Sequence, residues 1–167
     1  YTDYKKMIED KEINFISIAT PNSQHTEQAL YALENGCDVL IEKPVSLNPL
    51  DVAIISKAAN ENKQKAYCVL QVRMNPAEVL RRGLLGNIRG VNLIQRWQRP
   101  VEYFTGWRAV PEIGGGTLYE CGIHYLDVMG YLVGFPEVLS SSVYNVKHKD
   151  CDIEDTIYSL FDFGEFG

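Results

Sequence analysis

Apolar and polar positions alternate along this chain in two different ways, and the change falls near the middle. In the first part, short apolar runs are separated by stretches with helical spacing. Asp3 to Asp10 reads as a helix with Asp3 as its cap. Ile13 to Ala19 reads as a strand, followed by a Thr20-Pro21-Asn22 loop with Ser23 placed to cap the next helix. That helix takes Ala29, Leu30 and Leu33 to one face and is stopped by Gly36. Asp38 to Glu42 is a second strand, and its Val39-Leu40-Ile41 run has the continuous apolar character of a buried parallel strand. Asn48 caps a third helix with Pro49 at its first position, running to about Asn62. Ala66 to Gln71 predicts a third strand, and Asn75-Pro76 opens a helix that ends near Gly83 to Gly86. Strands alternating with helices in this way predict βαβ units and a parallel sheet.

After Gly86 the period changes. Gly90 to Arg99 predicts a longer strand with polar residues at Asn92, Gln95 and Gln98. Pro100 to Ile113 is an irregular, aromatic-rich loop. A helix is expected from Thr117 to Val133, stopped by Gly134, and then strands over Glu137 to Lys147 and Thr156 to Phe163. Long alternating strands around one helix imply an antiparallel or mixed sheet with one open face, with Val138, Val143, Tyr144, Tyr158, Leu160 and Phe161 supplying apolar side chains on one or other face. An open face of that kind marks a subunit interface, so a homodimer or homotetramer is expected. The boundary between the two patterns is set near Gln71 to Asn75, giving domains 1–72 and 73–167.

Composition narrows the function classes. The 167 residues carry 16 basic and 22 acidic side chains, net −6, which speaks against a nucleic-acid or anionic-membrane surface. No apolar run approaches the ~20 residues that span a bilayer, and no signal peptide is visible. Cys37, Cys68, Cys121 and Cys151 are widely spaced and form no C-x-x-C pair or zinc pattern. Reduced thiols and a cytoplasmic location follow. No metal site is expected.

Five segments are candidates for chemistry. Glu42-Lys43-Pro44 closes the second strand, and ligands of open α/β sheets sit outside the carboxyl ends of strands. Lys43 is then either an ordinary strand-end lysine or one held over a ligand, where partial burial promotes proton traffic. Thr20-Pro21-Asn22-x-x-His25 ends the first strand; it either caps a helix through Ser23 or offers backbone N–H groups to a polar ligand. Glu120, His124 and Asp127 fall at i, i+4 and i+7, a polar stripe on an apolar helix. That stripe allows a core histidine satisfied by a carboxylate, a metal set, or a general base oriented by a carboxylate. Trp107-Arg108 offers a carboxylate or phosphate clamp or a solvated loop arginine. Arg73 and Asn75, beyond the third strand, invite the same question.

Taken together, Thr-Pro-Asn-x-x-His, Glu-Lys-Pro and Gly-Gly-Gly-x-x-x-x-x-Gly-x-His-x-x-Asp, at these separations, resemble the glucose-fructose oxidoreductase / inositol dehydrogenase / MocA family over nearly the whole chain. The resemblance implies the second half of a Rossmann sheet followed by a C-terminal α+β domain. It implies NAD as cofactor, NADP not excluded, and hydride transfer at a sugar or polyol ring carbon. Lys43 and His124 would be the catalytic pair, with Glu120 beside them. Thr20, Pro21, Asn22, His25, Glu42, Lys43, Trp107 and Arg108 would contact the cofactor. Lys43, Arg73, Asn75, Arg108, Glu120 and His124 would contact the substrate.

Two departures stand out: Glu120 takes a position where the family usually has aspartate, and the glycine-rich pyrophosphate fingerprint is absent. The chain therefore reads as an internal piece of a longer protein, expected to bind NAD poorly alone. The residue that separates NAD from NADP is expected upstream of Tyr1. Within the family, Val69 to Pro76 and Thr105 to Arg108 look most like the UDP-N-acetylglucosaminuronate 3-dehydrogenases of surface-polysaccharide synthesis. Two rival readings are an NAD-dependent glycosidase of the same fold and a non-catalytic sugar or cofactor sensor.

Overall fold

The computed structural model describes residues 1–74, 82–84 and 86–164. The helix expected from Asn75-Pro76, and Asn75 itself, lie outside the described residues. The chain divides into two compact units, residues 1–69 with 112–115, and residues 70–111 with 116–167.

The first unit is built on a parallel sheet of β1 (Phe15–Ile18), β2 (Asp38–Ile41) and β3 (Ala66–Cys68), in that order. Phe15 pairs with Asp38, and Val39 with Ala66. Helix α1 (Tyr4–Ile8) starts at Asp3, whose side chain accepts the Lys5 N–H as expected. Helix α2 (His25–Glu34) joins β1 to β2 and ends before Gly36, whose φ of +86° is open to glycine at little cost. Helix α3 (Pro49–Glu61) joins β2 to β3; Asn48 caps it by accepting the Leu50 N–H, with Pro49 in the first turn. Ile16, Ile18, Val39 and Ile41 pack with Ala29, Ala32 and Leu33 of α2 and with Ile55 and Ala59 of α3 into one core.

Burial alternates along β1, where Ile16 and Ile18 are inside while Phe15 is 49% exposed. Two right-handed crossovers stepping the same way across a sheet put both helices on one face. That corrects the expectation of strands buried on both faces. Ser23 also differs: it sits within a 3₁₀ turn, Asn22–Gln24, and α2 has no side-chain cap.

In the second unit a π-helical turn, Leu118–Gly122, runs directly into α4 (Ile123–Val133). A hairpin follows, β4 (Glu137–Tyr144) antiparallel to β5 (Thr156–Asp162), with an irregularity between Val138 and Ser140. The strand expected at Gly90–Arg99 does not form. A strand needs a partner ladder, and none is present among the described residues. Its side chains make the attachments instead, Gln95 donating to the Cys121 carbonyl at 3.2 Å and Trp97 meeting Tyr125 edge-on. The hairpin departs from expectation too. Every β4 residue is exposed, so both of its faces are uncovered rather than one.

The loop between β4 and β5 is held from within. Asp155 accepts the backbone N–H groups of Val146, Lys147 and His148 at 2.9, 2.7 and 2.9 Å, and the Thr156 hydroxyl at 2.8 Å. Burial pushes its carboxyl up, but these four donors outweigh that and hold it well below the usual range. The Asn145 amide donates to the carbonyls of His148, Cys151 and Ile153. All four cysteines are free thiols. Among the described residues, no helix is long and apolar enough to cross a membrane.

Candidate active site

In the first unit, the carboxyl ends of β1 and β2 deliver two neighbouring loops. His25, fully buried at the start of α2, joins them: Nδ1 lies 2.7 Å from the Pro44 carbonyl oxygen and Nε2 2.9 Å from that of Thr20. A neutral ring donates to one of these oxygens and an imidazolium to both. With both nitrogens engaged, His25 acts as a clasp between the Thr20 and Lys43 loops. Asn22 is 3% exposed and donates to the Gly114 carbonyl at 2.8 Å. The Thr20 hydroxyl donates to Gln28 Oε1 at 2.8 Å. Pro21 precedes the 3₁₀ turn, and Pro44 is buried beyond Lys43. Lys43 is partly buried, and its backbone N–H donates to the Glu42 carboxylate at 3.1 Å. The two loops thus present backbone and polar groups at the end of the sheet where dinucleotides bind in this class of fold. Thr20, Asn22, Glu42 and Lys43 are the side chains of these loops that could hold a dinucleotide.

In the second unit, Glu120 and His124 are buried, at 8% and 7% exposure. Glu120 accepts from Tyr103 OH and from Arg108 Nε, both at 3.4 Å. Burial, then the Cys121 thiol, pushes the Tyr103 phenol up. Arg108 lies over the rings of Trp107 and Tyr103. Asp127, the third member of the stripe, is taken by Arg73: Nε to Oδ2 at 2.7 Å and Nη2 to Oδ1 at 2.5 Å. This bidentate pair redirects the expectation for both residues, since Arg73 spends its fork on Asp127 and Asp127 faces Arg73.

One residue escaped the sequence reading. Glu154, from the β4–β5 loop, accepts the Leu118 N–H at 2.9 Å, and its carbonyl accepts the Thr117 hydroxyl at 2.5 Å. It therefore caps the element that carries Glu120 and His124. The carboxylate fits because Gly116 has no side chain; a Cβ there would fall 2.4 Å from Glu154 Oε2.

Residues 1–70 match the oxidoreductase family with an NAD-binding Rossmann fold, and residues 76–165 match the GFO/IDH/MocA C-terminal domain. This chain belongs to the GFO/IDH/MocA family. The parallel unit is the family's Rossmann-type domain, and the hairpin lies in its C-terminal domain. Oxidoreductase P35 of Formosa agariphila is 30% identical over 166 residues, covering 90% of this chain and 48% of that protein. The scyllo-inositol 2-dehydrogenase (NAD(+)) of Bacillus subtilis is 31% identical over 145 residues, covering 79% of this chain and 39% of its own. Among solved structures, the WlbA dehydrogenase of Bordetella pertussis, in complex with NADH and UDP-GlcNAcA, superposes with a TM-score of 0.88 at 26% identity. The match covers 96% of this chain and 48% of that one. The chain thus spans about half the length of these GFO/IDH/MocA relatives.

Proposed function

We propose that the protein carrying this chain is an NAD-dependent oxidoreductase that transfers hydride between a sugar ring carbon and nicotinamide, with a nucleotide-linked amino-sugar acid as substrate. The observation that carries the reading is the state of the Glu120–Asp127 stripe. Asp127 is already neutralised by Arg73, whereas His124 is a buried imidazole beside a buried carboxylate element. That supports His124 as the proton acceptor. Likeness to a dehydrogenase crystallised with NADH and UDP-GlcNAcA supports the substrate class.

When bound, NAD supplies the hydride acceptor. His124 takes the proton of the reacting hydroxyl. Lys43 is the second residue proposed for the chemistry, as a donor to developing negative charge. Glu120, anchored by Tyr103 and Arg108, orients the π-helical turn from which His124 follows. The exposed hairpin supports a homodimer or homotetramer, and light scattering on the intact protein tests this, a monodisperse monomer at micromolar concentration counting against it.

The decisive assay follows NADH formation by the full-length protein with UDP-linked acid sugars, free sugars and polyols. Net NADH with an oxidised sugar product is expected. Hydrolysis with no net NADH would replace this reading with the glycosidase, and binding without turnover would replace it with the sensor.

A further inference from the structure

The second unit holds more positive charge around one ring than its own carboxylates neutralise. Two guanidinium groups lie over Tyr103: the Arg99 carbon is 5.0 Å from the ring centroid and that of Arg108 is 5.2 Å. Each also rests on a tryptophan, Arg99 on Trp97 at 4.7 Å and Arg108 on Trp107 at 4.4 Å. Stacking on aromatic faces holds a guanidinium as an oriented plane while leaving its in-plane N–H groups available. Arg108 has one acidic neighbour, Glu120, at the long distance of 3.4 Å. Arg99 has none among the described residues. Its Nε is buried without a hydrogen-bond partner, and its Nη2 meets only the Cys121 sulfur, at 4.0 Å.

The cluster therefore sets two cations against one carboxylate, in a chain whose acidic residues outnumber its basic ones 22 to 16. Arg73, a few residues past the third strand, shows the alternative, a fork closed on Asp127. A guanidinium carries five donors in a fork that matches a planar or tetrahedral oxyanion, and a buried donor left unpaired is costly.

We propose that Arg99 and Arg108, mounted on Tyr103, form an oxyanion subsite that receives a negatively charged group of the substrate, with Arg99 as the residue that selects for it. The reading rests on the proposed sugar-nucleotide substrate and adds the group that is recognised. In such a substrate the oxyanion is either the sugar carboxylate or the diphosphate, and both offer the same acceptor chemistry.

The test is calorimetric titration of the full-length protein, wild type, Arg99→Ala and Arg99→Lys, with three probes: UDP-GlcNAcA, its uncharged analogue UDP-GlcNAc, and UDP. Arg99→Ala should weaken UDP-GlcNAcA by about tenfold or more, the effect of losing a charge-assisted fork. Arg99→Lys, which keeps the charge and the stem, should fall between. Loss confined to UDP-GlcNAcA identifies the carboxylate; equal loss with all three identifies the diphosphate. Unchanged affinities in both variants, or no binding of any probe to the wild type, overturns the proposal. If Arg99→Ala does not fold, Arg99→Lys decides alone, and wild-type affinity for all three probes refutes the subsite. Binding is read without turnover, so failure of the dehydrogenase reading appears separately, as Arg99-dependent binding with no NADH formed.

Discussion

Replacing Gly116 by alanine tests the cap on the helical segment that carries Glu120 and His124. Two costs follow from the geometry. Gly116 has φ +91°, and the new Cβ would sit 2.4 and 2.6 Å from the two Glu154 carboxylate oxygens. An L-residue at such a φ costs about 1–3 kcal/mol. The carboxylate must leave, and losing its hydrogen bond to the Leu118 N–H costs about 1.5–3 kcal/mol more. The unfolded chain gives back up to about 1 kcal/mol, because alanine has less freedom than glycine. The net loss is about 1.5–6 kcal/mol, the lower end applying if Glu154 swings into water.

Urea unfolding of the full-length protein measures the total, and amide exchange at Leu118 reads the cap locally. Glu154→Gln keeps a carbonyl oxygen for that N–H and should stay near wild type, while Glu154→Ala should not. In the Glu154→Ala background, Gly116→Ala should cost only its backbone share, since nothing remains to expel. A Gly116→Ala protein within about 0.5 kcal/mol of wild type, the range of an ordinary surface substitution, would refute the reasoning.

Lys43→Ala should cut turnover by about two orders of magnitude or more while cofactor affinity changes less, and wild-type turnover would remove Lys43 from the chemistry. His25→Ala removes the buried ring between the Thr20 and Pro44 carbonyls, at least one of which loses its donor; a loss of about 1–3 kcal/mol in chemical denaturation is expected, and unchanged stability would show that the clasp is idle. Asp155→Ala should destabilise at neutral pH. The folded carboxyl titrates below its ordinary value of about 3.9, so its contribution is present above that pH and is lost as pH falls further. The gap between wild type and variant in thermal unfolding should therefore close below about pH 4, and a gap independent of pH would contradict the assignment.

The parallel unit was legible because its signals are local. Asn48 and Pro49 announce α3, Gly36 ends α2, and the apolar runs of β1 and β2 are short enough to exclude helices. Lys43 follows β2 as expected, and Glu120 and His124 fall within the helical stretch expected from Thr117 to Val133, although Glu120 lies in its π-helical turn. What was not legible depended on contacts distant in sequence. Gly90–Arg99 has strand-like alternation, yet a ladder requires a second backbone, and no pattern within the segment supplies one. Nothing in the Thr20–His25 stretch shows that the Pro44 carbonyl, 19 residues on, is brought to His25 Nδ1. Glu154 lies 36 residues from the N–H group that it caps. The glycine triplet signals that something approaches Gly116 closely, but nothing in the triplet says which side chain. Arg73 and Asp127 show the same limit: each looked ready for a ligand, and each proved to be the other's partner.

The π-helical turn at Leu118–Gly122 gives this stretch a tolerance of length that its composition does not show. Such a turn is an α-helix that has accepted one residue too many. Deleting a single residue there would let the backbone relax into a regular helix, with the downstream hydrogen bonds of α4 intact. If the lost residue lay between Glu120 and His124, their spacing would pass from i, i+4 to i, i+3, and both spacings put two side chains on one face. A one-residue gap in this segment would thus remove the wide turn and keep its carboxylate and its imidazole on the same side of the axis.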